Sequence, residues 1–385
     1  MDYIITTLNK ISNVGLKHFS DNYNIVSGEL TDNTDAVLVR SQDMLEMDFP
    51  SSLKSIARAG AGVNNIPLDR CASQGIVVFN TPGANANAVK ELTILGLLLS
   101  ARNVPAALNW AKELKPNDDM NVAKQVEKGK SQFAGTELMG KTLAVLGLGA
   151  IGRKISYAAK DLGMNIVGYD PFVDSLEGIE VKKELSEILP LADYVSLHLP
   201  ANADTNKMVN KDFLDMMKDG AVLLNFSRDK LVNFDDLLAS LDNGKIREYV
   251  TDFPTDDVVG KDKIVLLPHL GASTEEAEDN CAVMAVQQTV NFLENGNIVN
   301  SVNFPKLDMG PKEHERVAVI VKDLPNPIID VMELIGRLGA QVGKIMASRR
   351  EDGISYVLAE IISGQIPAMT FDDPDSPIIS MRVIK

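Results

Sequence analysis

A chain of 385 residues exceeds the usual single-domain size, and a make-up of 45% hydrophobic and 24% charged residues provides for a sizeable globular core. The formal net charge of −15 repels phosphate at long range, which argues against nucleic acid or an anionic membrane as a general partner and requires locally concentrated cations for any anionic substrate. Cys71 and Cys281 form no CxxC or Cys/His cluster, which argues against a disulfide scaffold or a metal site and fits a reducing, cytoplasmic compartment.

The chain opens on a strand-like segment, DYIITTL, without the basic and apolar regions of a signal peptide. AVLVRS, SIARAGAG and IVVFNTPG read as further strands. A helical pattern runs from about 86 to 101, and its apolar part, Leu92–Ala101, is shorter than the ~20 residues needed to span a bilayer. Residues 113–140 are polar and irregular, with weak helical content. A second α/β group opens at Lys141 and runs to about Ala272. A helix is predicted over 273–295, with Ser273 and Glu276 as its capping box and Gly296 beyond its end. A polar stretch, NIVNSVNFPKLDMGPKEHE, follows. The chain then continues as strand RVAVIVKD, amphipathic helix NPIIDVMELIGRLG, and strands AQVGKIMASRR, ISYVLAEII and PIISMRVIK. A second helix in this last part falls on 363–375.

This order predicts two doubly wound parallel-sheet (Rossmann/flavodoxin-like) α/β domains and a small C-terminal ferredoxin-like α+β domain. The expected boundaries are 1–96, completed by 278–305, for a substrate-binding domain and 97–277 for a nucleotide-binding domain. A linker is expected over 306–314 and the small domain over 315–385.

Gly147, Gly149, Ala150, Ile151 and Gly152 belong to a GxGxxG that follows the strand TLAVL and opens an amphipathic helix. That context is what a dinucleotide pyrophosphate requires. The next strand, NIVGYD, ends at Asp170, whose carboxylate suits ribose hydroxyls and repels a 2′-phosphate, so NAD is expected rather than NADP. Three later strands end at Arg228, Asp252 and His269. In a doubly wound sheet, ligands bind beyond the carboxyl ends of strands. A guanidinium there holds a carboxylate in a fork, and an imidazole exchanges a proton. Together they describe oxidation of a 2-hydroxy acid.

The ordered set RAGAGVNNI, NTPGANANAVKEL, GKTLAVLGLGAIGR, LHLP, LLNFSRDKLVN and LPHLGAST resembles the D-isomer-specific 2-hydroxyacid dehydrogenase family over nearly all of residues 1–305. The terminal segment resembles an ACT regulatory domain. The resemblance implies that Arg228 binds the substrate carboxylate and that His269 is the general base. It implies that Ala59 and Gly60, in the 59–62 loop, supply amides. Arg40, Ser41, Arg58 and Asn85 would recognise the rest of a small, anionic, phosphorylated substrate. Asp252 would meet the nicotinamide carboxamide, and His198 and Pro200 would lie near the cofactor. A homodimer or homotetramer is implied, with no nucleic acid or membrane partner.

Family members pair the histidine with a Glu that is absent here. Aligning on Phe253-Pro254-Thr255 selects Asp256, the expected catalytic partner of His269, and counting five from Asp252 selects Asp257 as the alternative. Asp229 stands where the family usually has Gly, and the ACT-like part lacks the Pro-Gly turn of serine-binding loops. His18 and His314 read as solvated, His198 as the rival base, Trp110 as packing and Cys281 as core. The rival readings are a reductase of glyoxylate or hydroxypyruvate and an NAD-responsive binding protein.

Overall fold

The computed structural model describes residues 3–116, 120–367 and 376–385. Strands form where runs of Val, Ile, Leu and Ala are long enough to be buried on both faces. The chain divides into two compact units, Met1–Asn85 with Glu275–Lys385, and Ala86–Thr274.

In the first unit, β1 (Tyr3–Thr7), β2 (Tyr23–Ser27), β3 (Ala36–Val39), β4 (Ser55–Arg58) and β5 (Val77–Phe79) make a parallel sheet in the order β2-β1-β3-β4-β5. All four residues of β3 are buried. β2 escaped the sequence reading because it is an edge strand with only Tyr23 buried, so it shows no hydrophobic pattern. The helix Glu275–Asn295 packs on this sheet through Cys281, Ala282, Ala285 and Phe292, whose ring lies 5.6 Å from that of Phe79. It starts at Glu275, so Thr274 rather than Ser273 precedes its first turn.

In the second unit, β6 (Thr142–Leu146), β7 (Asn165–Tyr169), β8 (Glu180–Lys182), β9 (Tyr194–Leu197), β10 (Ala221–Asn225), β11 (Ile246–Thr251) and β12 (Ile264–Leu266) form a parallel sheet ordered β12-β11-β10-β9-β6-β7-β8. The order reverses between β6 and β9, the place where such sheets bind ligands. The helix Ala86–Arg102 belongs to this unit, because Val89, Leu97 and Ala101 share a core with Leu143, Ile155 and Phe226. The division therefore falls before that helix and not inside it at 96/97. On the return it falls at 274/275 and not at 277/278.

The C-terminal part supplies β13 (Arg316–Lys322), β14 (Gln341–Arg349), β15 (Ile354–Ser363) and β16 (Ile378–Ile384), antiparallel in the order β14-β15-β13-β16, with the helix Pro327–Arg337 after β13. This is the ferredoxin-like arrangement. The second helix expected over 363–375 falls mostly on 368–375, outside the described residues.

Residues 306–314 are not a free linker. Leu307 and Ile298 exchange backbone hydrogen bonds of 2.7 and 3.0 Å, and Leu307 and Met309 are buried. Asn303 just upstream is also buried, accepting from Val78 N at 2.8 Å and donating to Ile76 O at 2.9 Å. Polar residues that look like a linker in sequence here satisfy buried backbone. Among the described residues no single helix is long and apolar enough to cross a membrane.

Candidate active site

The loop after β6 places three glycines for two structural reasons and one open approach. Gly147 has φ +94°, and a Cβ on it would lie 2.4 Å from His198 O. On Gly152 a Cβ would lie 1.9 Å from Gly147 O, so only glycine lets the helix start this close to the strand. Gly149, the N-cap of the helix Ala150–Asp161, faces open space. That helix has no side-chain cap, which leaves its first amides available to an anion. Ala150 and Ile151 form its first turn.

Asp170 at the end of β7 is buried, and its carboxylate is already tied to backbone. Oδ2 accepts from Leu148 N and Oδ1 from Phe172 N, each at 2.8 Å. It thus fixes the glycine loop, and each oxygen keeps a second lone pair for a ribose hydroxyl. The Leu148 contact had no signal in the sequence.

β10, β11 and β12 are neighbours, and Arg228, Asp252 and His269 follow their carboxyl ends. The Arg228 backbone is fixed by Asn225, whose Nδ2 donates to Arg228 O at 2.8 Å and whose Oδ1 accepts from Arg228 N at 3.3 Å. Its exposed guanidinium donates to Ser227 O at 2.6 Å and pairs with no carboxylate among the described residues, Asp229 included. His269 is exposed and sits in left-handed backbone, φ +50°, held by donation of its N–H to Asp252 O at 2.8 Å. Such a conformation costs a non-glycine residue ~1 kcal/mol or more and tends to mark functional positions. The Phe253 ring lies 5.0 Å from the imidazole.

Asp252 is fully buried. Oδ2 accepts from Gly271 N at 2.8 Å, while Oδ1 has no partner in the chain. Burial pushes this carboxyl up, partly offset by the Gly271 amide and His269. An unpaired buried acceptor costs ~1–3 kcal/mol, which a ligand amide would recover. His198 has a second such atom, Nδ1, while Nε2 lies 2.8 Å from Ser196 Oγ. Burial lowers His198 to about 3, so it stays neutral near pH 7 and is a poor base there. Pro200, exposed two residues on, accepts from Thr205 Oγ1 at 2.6 Å. The glycine cradle, the open helix terminus and these orphaned atoms fit a dinucleotide.

Neither Asp256 nor Asp257 bonds to His269. Val258 N and Val259 N both close on Thr255 O at 3.1 Å, and buried Val258 anchors the turn, which leaves both aspartates exposed. One residue fewer in the loop and one methylene fewer in the side chain leave no carboxylate bonded to the imidazole. The expected Asp256–His269 pair is thus absent among the described residues.

In the first unit, Asn9 Oδ1 accepts from the amides of Arg40, Ser41 and Gln42 at 3.1, 3.0 and 2.9 Å. Sequence reasoning missed Asn9; its one signal was an Asn just beyond a strand end. Arg58 Nε donates to Arg40 O at 2.9 Å, and Arg40 pairs with Glu278 at 2.6 Å. Ala59 N is spent on Val39 O and Gly60 N on Arg58 O, each at 2.8 Å. The amides expected from Ala59 and Gly60 are therefore taken; in the same loop, Ala61 N and Gly62 N donate to no backbone carbonyl among the described residues. Asn85 is buried with Oδ1 unpaired.

Residues 104–271 match the model of the D-isomer specific 2-hydroxyacid dehydrogenase NAD-binding domain. The chain is 33% identical over 316 residues to D-3-phosphoglycerate dehydrogenase of Methanocaldococcus jannaschii, a match covering 77% of this chain and 58% of that protein. It is 32% identical over 365 residues to D-3-phosphoglycerate dehydrogenase 3, chloroplastic, of Arabidopsis thaliana, covering 91% and 57%. The chain thus spans less than two thirds of the length of these relatives. The NAD+-bound 3-phosphoglycerate dehydrogenase of Entamoeba histolytica superposes with a TM-score of 0.63 at 25% identity, covering 80% of this chain and all of that one. With the glycine cradle, Asp170 and the Arg228/His269 strand ends, these matches show that residues 104–271 are a D-isomer specific 2-hydroxyacid dehydrogenase NAD-binding domain.

Proposed function

We propose that the chain is a cytoplasmic, NAD-dependent enzyme that oxidises D-3-phosphoglycerate to 3-phosphohydroxypyruvate, the first step of serine synthesis. The observation that carries this reading is an Arg228 guanidinium with no carboxylate partner among the described residues and a strained, exposed His269, on strand ends either side of Asp252. Arg228 holds the substrate carboxylate in a fork and polarises the C2 oxygen. His269 takes the hydroxyl proton during oxidation and returns it during reduction. Bound NAD would supply the acceptor for the hydride on C2. Gly147, Gly149, Ala150, Ile151 and Gly152 would cradle its pyrophosphate and Asp170 would hold its ribose. His198 and Pro200 would line it, and Asp252 would meet its carboxamide. Arg40, Ser41, Arg58 and Asn85 serve the phosphate end, with Ala61 and Gly62 replacing Ala59 and Gly60 as amide donors. We read the assembly as a homodimer or homotetramer, consistent with the free edge of β14.

Arg40→Ala tests this reading. Loss of a charge-assisted hydrogen bond costs ~1.5–3 kcal/mol, so KM for D-3-phosphoglycerate is expected to rise about 10- to 100-fold. KM for unphosphorylated D-glycerate should barely move. An equal effect on both substrates would favour the second reading, a reductase of an unphosphorylated 2-oxo acid such as hydroxypyruvate or glyoxylate. The observation that speaks for that reading is Glu278, which already occupies Arg40.

A further inference from the structure

Arg40 is the guanidinium offered to a phosphate, and it is already engaged. Its Nη1 lies 2.6 Å from Glu278 Oε1, with the two side chains 35% and 46% exposed. Glu278 stands in the first turn of the helix Glu275–Asn295. The backbone that carries Arg40 does not depend on this contact, because Asn9 Oδ1 gathers the amides of Arg40, Ser41 and Gln42, and Arg58 Nε bonds Arg40 O. Glu278 therefore acts on the charged end of Arg40, and other groups hold the loop.

We infer that Glu278 is a positioning residue that sets specificity: a built-in anion that holds the Arg40 guanidinium until a substrate phosphate displaces it. This rests on the reading of Arg40 as a phosphate ligand. An exposed ion pair is weak, so a phosphate with close to two charges and three acceptor oxygens can take it over, whereas a neutral hydroxymethyl group cannot. After displacement the Glu278 carboxylate stays nearby and repels the phosphate. At ~4 Å that repulsion is ~1 kcal/mol per pair of charges even in water, enough to weaken binding severalfold to about tenfold. Arg40 thus discriminates for phosphate while its affinity is held down.

Glu278→Gln keeps an oxygen to orient the guanidinium and removes the charge. With the full chain, inorganic phosphate measured by titration calorimetry is expected to bind about tenfold tighter to Glu278→Gln. The ratio of KM for D-glycerate to KM for D-3-phosphoglycerate is expected to rise by about the same factor. Glu278→Asp, which restores the charge, should return both quantities towards wild type. Unchanged or weaker phosphate binding in Glu278→Gln overturns the inference, as does an unchanged KM ratio. If neither acid is oxidised but phosphate still binds tighter to Glu278→Gln, the enzymatic reading falls and the competitor role stands.

Discussion

Replacing His269 with alanine is expected to lower turnover of the D-2-hydroxy acid by about 10²–10⁴-fold while NAD affinity stays near wild type. In the proposed reaction the loss follows from removing the base that takes the C2 hydroxyl proton. His269 also sits at φ +50°, where alanine is strained. An Ala variant alone thus confounds lost chemistry with a perturbed loop. Asn tolerates left-handed backbone better, and its amide does not act as a base near neutral pH. His269→Asn should therefore lose the same turnover with the Asp252–His269 backbone bond intact. Steady-state kinetics with calorimetric NAD binding checks both variants, and near-normal turnover in His269→Asn would remove the histidine from the reaction.

The second large effect is on stability. Arg316 at the start of β13 is 1% exposed, and Glu360 on β15 is 8% exposed. Arg316 donates from Nε to Glu360 at 3.1 Å and from Nη1 to Asn295 O and Gly310 O at 2.9 and 2.8 Å. Its Nη2 reaches Pro311 O at 2.9 Å. One guanidinium thereby joins the C-terminal sheet to the segment after the helix Glu275–Asn295. Arg316→Met leaves Glu360 buried without its cation and is expected to cost ~3–5 kcal/mol in denaturant unfolding. The double variant Arg316→Met/Glu360→Leu should recover only the part due to the uncompensated carboxylate, because Asn295 O, Gly310 O and Pro311 O still lack the donors of Arg316. A single variant within ~1 kcal/mol of wild type would show that the pair does not hold the sheet.

Much of this was legible in the sequence, for identifiable reasons. Strands such as AVLV and TLAVL are buried on both faces, so their composition declares them, and the glycine spacing is dictated by backbone approach. What failed depended on tertiary partners. β2 is an exposed edge, and Asn303 satisfies backbone far away in sequence. Asn9 gathers amides from the loop after β3, and Glu278 finds Arg40 across the chain. The Asp256–His269 pair failed because a family pattern was carried across a loop one residue shorter, which turns on Thr255 and buried Val258. The division at 85/86 was missed because helix periodicity does not say which sheet a helix packs on.

The most direct test of the account is to mix the purified full chain with NAD and a panel of small D-2-hydroxy acids and follow NADH absorbance. NADH is expected to form with D-3-phosphoglycerate above all others. No NADH from any member of the panel, with NAD shown to bind, would contradict it.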